Sequence, residues 1–85
     1  MKNWILTNGY TITQLLSGRS NSYLITTDYG NILVDTGRKN KRSLLLKNLK
    51  KLHIEKIDWL ILTHTHFDHC ENARFFQKNF NSKVV

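Results

Sequence analysis

The feature that most constrains this 85-residue chain is a short, continuous apolar segment, Ile32-Leu33-Val34, that runs directly into Asp35-Thr36-Gly37. An apolar run without alternation is typical of a β-strand that is covered on both faces. The acid and the glycine that follow place a carboxylate at the edge of the sheet, in a tight turn that a β-carbon would obstruct. We therefore expect a layered fold with Asp35 at one edge of its sheet.

The segment after this strand has leucines at the spacing of a helix. Leu45, Leu49 and Leu52 recur at i, i+4 and i+7, and Asn40 is a suitable N-cap, so we predict a helix from about residue 40 to residue 52. Residues 68–79 predict a second helix, and Asn81-Ser82 ends it.

Several segments have the residue pattern of strands. Alternation or short apolar runs predict strands at residues 10–16, 22–27, 32–34 and 57–63, and the opening of another at 83–85. The predicted fold class is α/β, with β-hairpins followed by α, β, α and the start of a strand. Because the chain is short and stops as a strand opens, we expect residues 1–85 to be the truncated N-terminal portion of one domain, with no second domain.

Composition excludes several classes of protein. Apolar residues make up 40% of the chain, which argues against disorder. No apolar run exceeds four residues, so we expect no membrane span. The single cysteine, Cys70, excludes an internal disulfide and fits a reducing compartment, so we expect a cytoplasmic protein.

The net charge of +7 is concentrated in one segment. From Arg38 to Lys56 there are eight basic residues and one acid, Glu55, and the rest of the chain sums to zero. Such a basic segment can hold the phosphates of a nucleic acid. It can equally be the solvated face of a lysine-rich helix, and both interpretations stay open.

Three of the four histidines lie within seven residues, Thr63-His64-Thr65-His66-Phe67-Asp68-His69. In extended backbone His64 and His66 project to the same side, and Asp68 and His69 follow where the second helix begins. Imidazole nitrogen and carboxylate oxygen are ordinary ligands of zinc, and iron and manganese accept them too. Four such groups after one strand therefore predict a metal site.

Each of these residues also has a structural interpretation. Asp68 could be a helix N-cap, with Glu71 completing a capping box. His69 shares a helix face with Ala73 and Phe76 and could be a core histidine. Asp35 could serve only to end its strand. The metal interpretation is stronger for the histidine-rich group as a whole, because clustered imidazoles would repel one another on protonation.

The motif Leu62-Thr63-His64-Thr65-His66-Phe67-Asp68-His69 resembles the signature of the metallo-β-lactamase superfamily, and the segment around Asp35-Thr36-Gly37 is similar to that family's first strands and turn. The resemblance covers about residues 10 to 85. It implies the N-terminal part of an αββα sandwich that carries a hydrolytic site for two zinc ions.

The resemblance also implies roles for individual residues. His64 and His66 would bind the first metal, and Asp68 and His69 the second. Asp35 would lie beneath the site and hold the motif loop by hydrogen bonds. Asp68 would be the catalytic residue that orients a metal-bound hydroxide and takes up its proton.

The implied activity is hydrolysis of a small-molecule ester, thioester, lactone or phosphodiester. The family's remaining ligands come from downstream segments, so we expect these 85 residues alone to be an inactive fragment. Two alternatives stay open. One is a nucleic-acid-processing member that uses the basic segment from Arg38 to Lys56, and the other is a non-catalytic zinc-binding remnant.

Overall fold

The computed structural model describes residues 1–18, 21–63 and 67–85, with the side chains of residues 39 and 67–71 outside the description. Within these ranges six strands form one sheet whose spatial order follows the sequence. The strands are β1 (Asn3–Ile5), β2 (Thr11–Leu16), β3 (Ser22–Thr27), β4 (Gly30–Val34), β5 (Trp59–Ile61) and β6 (Lys83–Val84). The helices are α1 (Arg42–Lys51) and α2 (Phe67–Phe80).

The sheet changes from antiparallel to parallel at β4. The pairs β1–β2, β2–β3 and β3–β4 are antiparallel, whereas β4–β5 and β5–β6 are parallel. Helix α1 connects β4 to β5, and helix α2 connects β5 to β6. Parallel neighbours need such crossovers, so this half of the sheet owes its arrangement to the two helices.

The core lies between the sheet and both helices. Leu24, Leu33 and Leu60 stand side by side on β3, β4 and β5 and are at most 1% exposed. They form one cluster with buried residues of the helices, among them Leu45 and Phe76. The predicted leucine stripe is thus confirmed for Leu45 and Leu49, while Leu52 packs at the margin of the cluster.

The opposite face of the sheet is also apolar. Ile12, Ile25, Ile32 and Trp59 lie in one row across β2 to β5, and each is only half-buried. Side chains alternate between faces along a strand, so this row points away from the helices. None of the helices in the described part of the chain covers it.

The predicted α/β element order is confirmed, and several boundaries differ from expectation. Asn40 does not cap α1, because a 3-10 turn over Lys39–Lys41 precedes the helix and Lys41 occupies the cap position without a side-chain hydrogen bond. Asp68 lies within the first turn of α2, which begins at Phe67, and so is not its N-cap. Strand β1 was not predicted, and its three residues are exposed.

The N-terminal ends of β4, β5 and β6 meet at Asp58. Its carboxylate accepts a hydrogen bond from the Asn31 backbone N–H at 2.8 Å, and its carbonyl accepts one from the Lys83 N–H at 3.0 Å. Lys56 forms an ion pair with it at 3.4 Å. The Asn31 hydrogen bond, more than Lys56, holds the pKa of Asp58 below its usual range.

No helix in the described ranges is long and apolar enough to cross a membrane.

Candidate functional site

The C-terminal ends of β4 and β5 lie next to each other. These strands are parallel neighbours, and Val34 pairs with Ile61 in their last registered position. The turn that starts at Asp35 and the segment that carries the histidine motif therefore leave the sheet at the same edge. Ligands of α/β proteins gather at the carboxyl ends of parallel strands, so this edge is the candidate site.

Asp35 is hydrogen-bonded directly to the residue that precedes the motif. Its Oδ1 accepts the backbone N–H of Thr63 at 2.8 Å, and its Oδ2 accepts the Thr63 hydroxyl at 2.5 Å. The Asp35 N–H in turn donates to the Ile61 carbonyl at 2.8 Å. Two hydrogen bonds from one residue to one carboxylate fix both the position and the orientation of Thr63, the residue that precedes His64 in the sequence.

The backbone at Asp35 is also fixed by a hydrogen bond from β3. Its φ is 60°, a left-handed conformation that aspartate tolerates better than most residues. The buried hydroxyl of Ser22 donates to the Asp35 carbonyl at 2.6 Å. Asp35 is only 8% exposed, so these bonds form in a poorly hydrated setting where an unpaired group would be costly. The turn is therefore anchored to β3 as well as to β5.

The four predicted metal ligands follow this anchor. His64 and His66 lie outside the described residues, and for Asp68 and His69 the structure describes the backbone only, in the first turn of α2. Among the described side chains no group of three or more His, Cys, Asp or Glu could hold a metal ion. The assignments of His64, His66, Asp68 and His69 stay predictions, as does the role of Asp35 beneath a metal.

The setting of the motif nevertheless suits a metal. The donor set of three imidazoles and one carboxylate is the kind that zinc, iron and manganese accept. The stretch that carries it is short, running from the Asp35-bound Thr63 to a helix that starts at Phe67. The residues present therefore fit a metal site at this edge.

Asn72 also contributes to this edge. This residue of α2 is fully buried, and its side-chain Nδ2 donates to the carbonyls of Thr36, Gly37 and Arg38 at 3.1, 3.1 and 2.9 Å. No sequence signal predicted it, because the acceptors lie 34 to 36 residues earlier in the chain. Thr63 had a local signal, since it directly precedes His64.

The basic segment is largely exposed on α1 and its flanks. Lys47, Lys50 and Lys51 are exposed, but Arg42 stacks over the ring of Phe75 at 4.5 Å, and Lys56 is paired with Asp58. Two of its cations thus have partners within the fold. His53 is exposed and follows Leu52, the C-cap residue of α1.

Comparison with known proteins identifies the family. Residues 17–85 match the model of the metallo-beta-lactamase superfamily. Over 66 residues the chain is 38% identical to the probable metallo-hydrolase MJ0888 of Methanocaldococcus jannaschii, a match that covers 78% of this chain and 32% of that relative. The chain thus spans about a third of the length of this relative.

Solved structures show the same fold. BJP-1, a subclass B3 metallo-beta-lactamase of Bradyrhizobium japonicum, is similar over the whole chain with a TM-score of 0.80 and 24% identity, and the match covers 32% of that protein. The metallo-beta-lactamase MIM-1 of Novosphingobium pentaromativorans is similar over 86% of the chain with a TM-score of 0.74 and 27% identity, and the match covers 28% of that protein. The sheet, its parallel half and the matched sequence agree, and this chain belongs to the metallo-β-lactamase superfamily.

Proposed function

We propose that residues 1–85 are the N-terminal, metal-binding portion of a zinc-dependent hydrolase. The observation that carries this proposal is the pair of hydrogen bonds from Thr63 to the Asp35 carboxylate, because they orient the chain where His64 begins. In a member of this superfamily that carries His-x-His-x-Asp-His at this position, the same bonds would set the direction of the first ligands.

The metal-binding roles follow from the motif. His64 and His66 would hold one zinc ion, and Asp68 and His69 a second, with iron or manganese as other metals that accept these ligands. Bound there, the metal would supply Lewis-acid activation of water and of the substrate's carbonyl or phosphoryl oxygen. Asp68 would orient the attacking water and accept its proton, and Asp35 would keep the motif loop in place through Thr63.

The apolar row Ile12, Ile25, Ile32 and Trp59 supports a second part of the proposal. A contiguous apolar row on a sheet face is commonly covered by another element or a partner. In an αββα sandwich a second sheet packs on it, so we propose that this segment works within a longer domain. The cytoplasm is the proposed location, because the single cysteine leaves no internal disulfide.

The test compares two proteins with zinc present and then chelated. One is the 85-residue chain, and the other is a protein of full family length that contains it. The substrates are a thioester, a lactone, a β-lactam and a phosphodiester. We expect chelator-sensitive turnover by the longer protein only, because two ligands per metal leave the coordination loose in the short chain. Chelator-sensitive turnover by the short chain that is lost in His66→Ala would contradict only the expectation that the short chain is inactive. Absence of chelator-sensitive turnover by the longer protein would contradict the proposed hydrolase.

The nucleic-acid alternative has support in the exposed Lys47, Lys50 and Lys51. If the segment holds phosphates, binding of a single-stranded RNA should weaken steeply with salt and weaken further when these three lysines are changed to alanine. A small-molecule hydrolase should show neither effect at physiological salt.

A non-catalytic remnant would bind zinc, and even its full-length form would show no turnover.

A further inference from the structure

We propose that Asn72 is a positioning residue for the metal-binding motif, holding its downstream end as Asp35 holds its upstream end. The inference rests on the proposed metal site and adds to it a residue outside the His-x-His-x-Asp-His sequence. Asn72 lies three positions after His69, in the second turn of α2. It would act through its neighbours and would not itself bind the metal.

The first step concerns where the side-chain amide is bound. The Nδ2 of Asn72 lies within 3.1 Å of three successive carbonyl oxygens, those of Thr36, Gly37 and Arg38. An amide nitrogen carries two hydrogens, so at least one of them is shared between two acceptors. The turn that carries these carbonyls has two left-handed residues, with φ of 60° at Asp35 and 69° at Gly37.

The second step concerns what this turn connects. Asp35, its first residue, holds Thr63 at the start of the motif. Asn72 ties α2, at the end of the motif, to the next three residues of the same turn. Residues 64–71 are therefore bracketed at both ends by hydrogen bonds to one short segment, so the distance between the two ends of the motif is fixed independently of any metal.

The third step concerns the side-chain carbonyl oxygen of Asn72, Oδ1. Asn72 is fully buried, and its Oδ1 has no hydrogen-bond partner among the described residues. A buried carbonyl oxygen without a partner is destabilising, because it has lost its hydrogen bonds to water. Helical side chains lean toward the preceding turn, which for Asn72 is the turn of Asp68 and His69. Histidines that bind metals commonly donate their second ring N–H to such an oxygen, and an imidazole N–H of the motif would satisfy Oδ1.

The experiment measures zinc affinity and the free energy of unfolding of the chain and of two variants. Asn72→Ala removes the clamp. Asn48→Ala is the matched control, because Asn48 is another buried helical asparagine whose Nδ2 donates to a carbonyl in β2, that of Leu15 at 2.8 Å. We expect Asn72→Ala to weaken zinc binding roughly 10–100-fold, as loss of a supporting hydrogen bond does elsewhere. Asn48→Ala should leave the zinc affinity of the folded protein within about twofold, since its lost bond bears on stability alone.

A second measurement on the unaltered chain covers the case in which Asn72→Ala does not fold. On addition of zinc, the side-chain carbonyl carbon of Asn72 should shift in the NMR spectrum together with the motif histidines, while that of Asn48 stays in place. Absence of zinc binding by the unaltered chain would overturn the proposed function itself. Zinc binding without a shift at Asn72, or with equal affinity losses in both variants, would overturn only the role of Asn72.

Discussion

Changing both His64 and His66 to alanine should weaken zinc binding by the chain by more than roughly 100-fold. Loss of a residue that only hydrogen-bonds to a metal ligand typically costs about 10–100-fold in metal affinity, and this variant lacks two of the ligands themselves. The free energy of unfolding measured without metal should change little. Isothermal titration with zinc, alongside a denaturant melt of the metal-free protein, separates the two effects.

The control for this double variant is His53→Ala. His53 is exposed and lies after α1, outside the motif, so its removal should leave zinc affinity unchanged. If the His64/His66 variant retains wild-type affinity, or if His53→Ala loses as much, the assignment of these ligands is wrong.

Replacing Asp35 with alanine should weaken zinc binding roughly 10–100-fold although Asp35 itself binds no metal in this account. The change removes the acceptors of both the Thr63 N–H and the Thr63 hydroxyl. It should also lower the free energy of unfolding, since a typical hydrogen bond contributes about 0.5–1.5 kcal/mol and two are lost. Zinc affinity and a denaturant melt are measured on the same sample.

Asp58→Ala provides the comparison for Asp35→Ala. The Asp58 carboxylate also accepts a hydrogen bond from a backbone N–H at 2.8 Å, but the donor is Asn31, at the N-terminal end of β4 and so at the opposite edge of the sheet from the candidate site. Its removal should lower stability and leave the zinc affinity of the folded protein unchanged. Equal losses of affinity in the two variants would show that Asp35 acts only through global stability.

The parts of the fold predicted from sequence are those that depend on local pattern. The apolar run at residues 32–34 was sufficient to predict a strand, although only Leu33 of this run is buried and the expected cover on both faces is not seen among the described residues. The leucine spacing was sufficient for α1, because a helix buries residues at that period. Strand β1 had no such signal, since Asn3, Trp4 and Ile5 are exposed and are held by pairing with β2. The start of α1 was misplaced because a 3-10 turn, invisible in the residue pattern, takes up Asn40.

The candidate site divides in the same way. The histidine motif is contiguous, so its residue types and spacing are legible without a structure. The bonds that support it join distant residues: Asp35 to Thr63 across 28 positions, and Asn72 to Arg38 across 34. Such contacts depend on the parallel pairing of β4 with β5 and on the docking of α2, and neither leaves a local trace in the sequence. Only the family resemblance pointed to the role of Asp35, and nothing in the sequence pointed to Asn72.

The most direct test of the central claim, that this edge of the sheet binds metal through the motif, is a zinc titration of the chain observed at the ring nitrogens of its histidines by NMR. All four histidines report in one spectrum, and exposed His53 serves as the internal reference. The account predicts that the ring nitrogens of His64, His66 and His69 shift together and saturate while those of His53 stay in place. Shifts at His53 of the same size, or none at the three motif histidines, would contradict it.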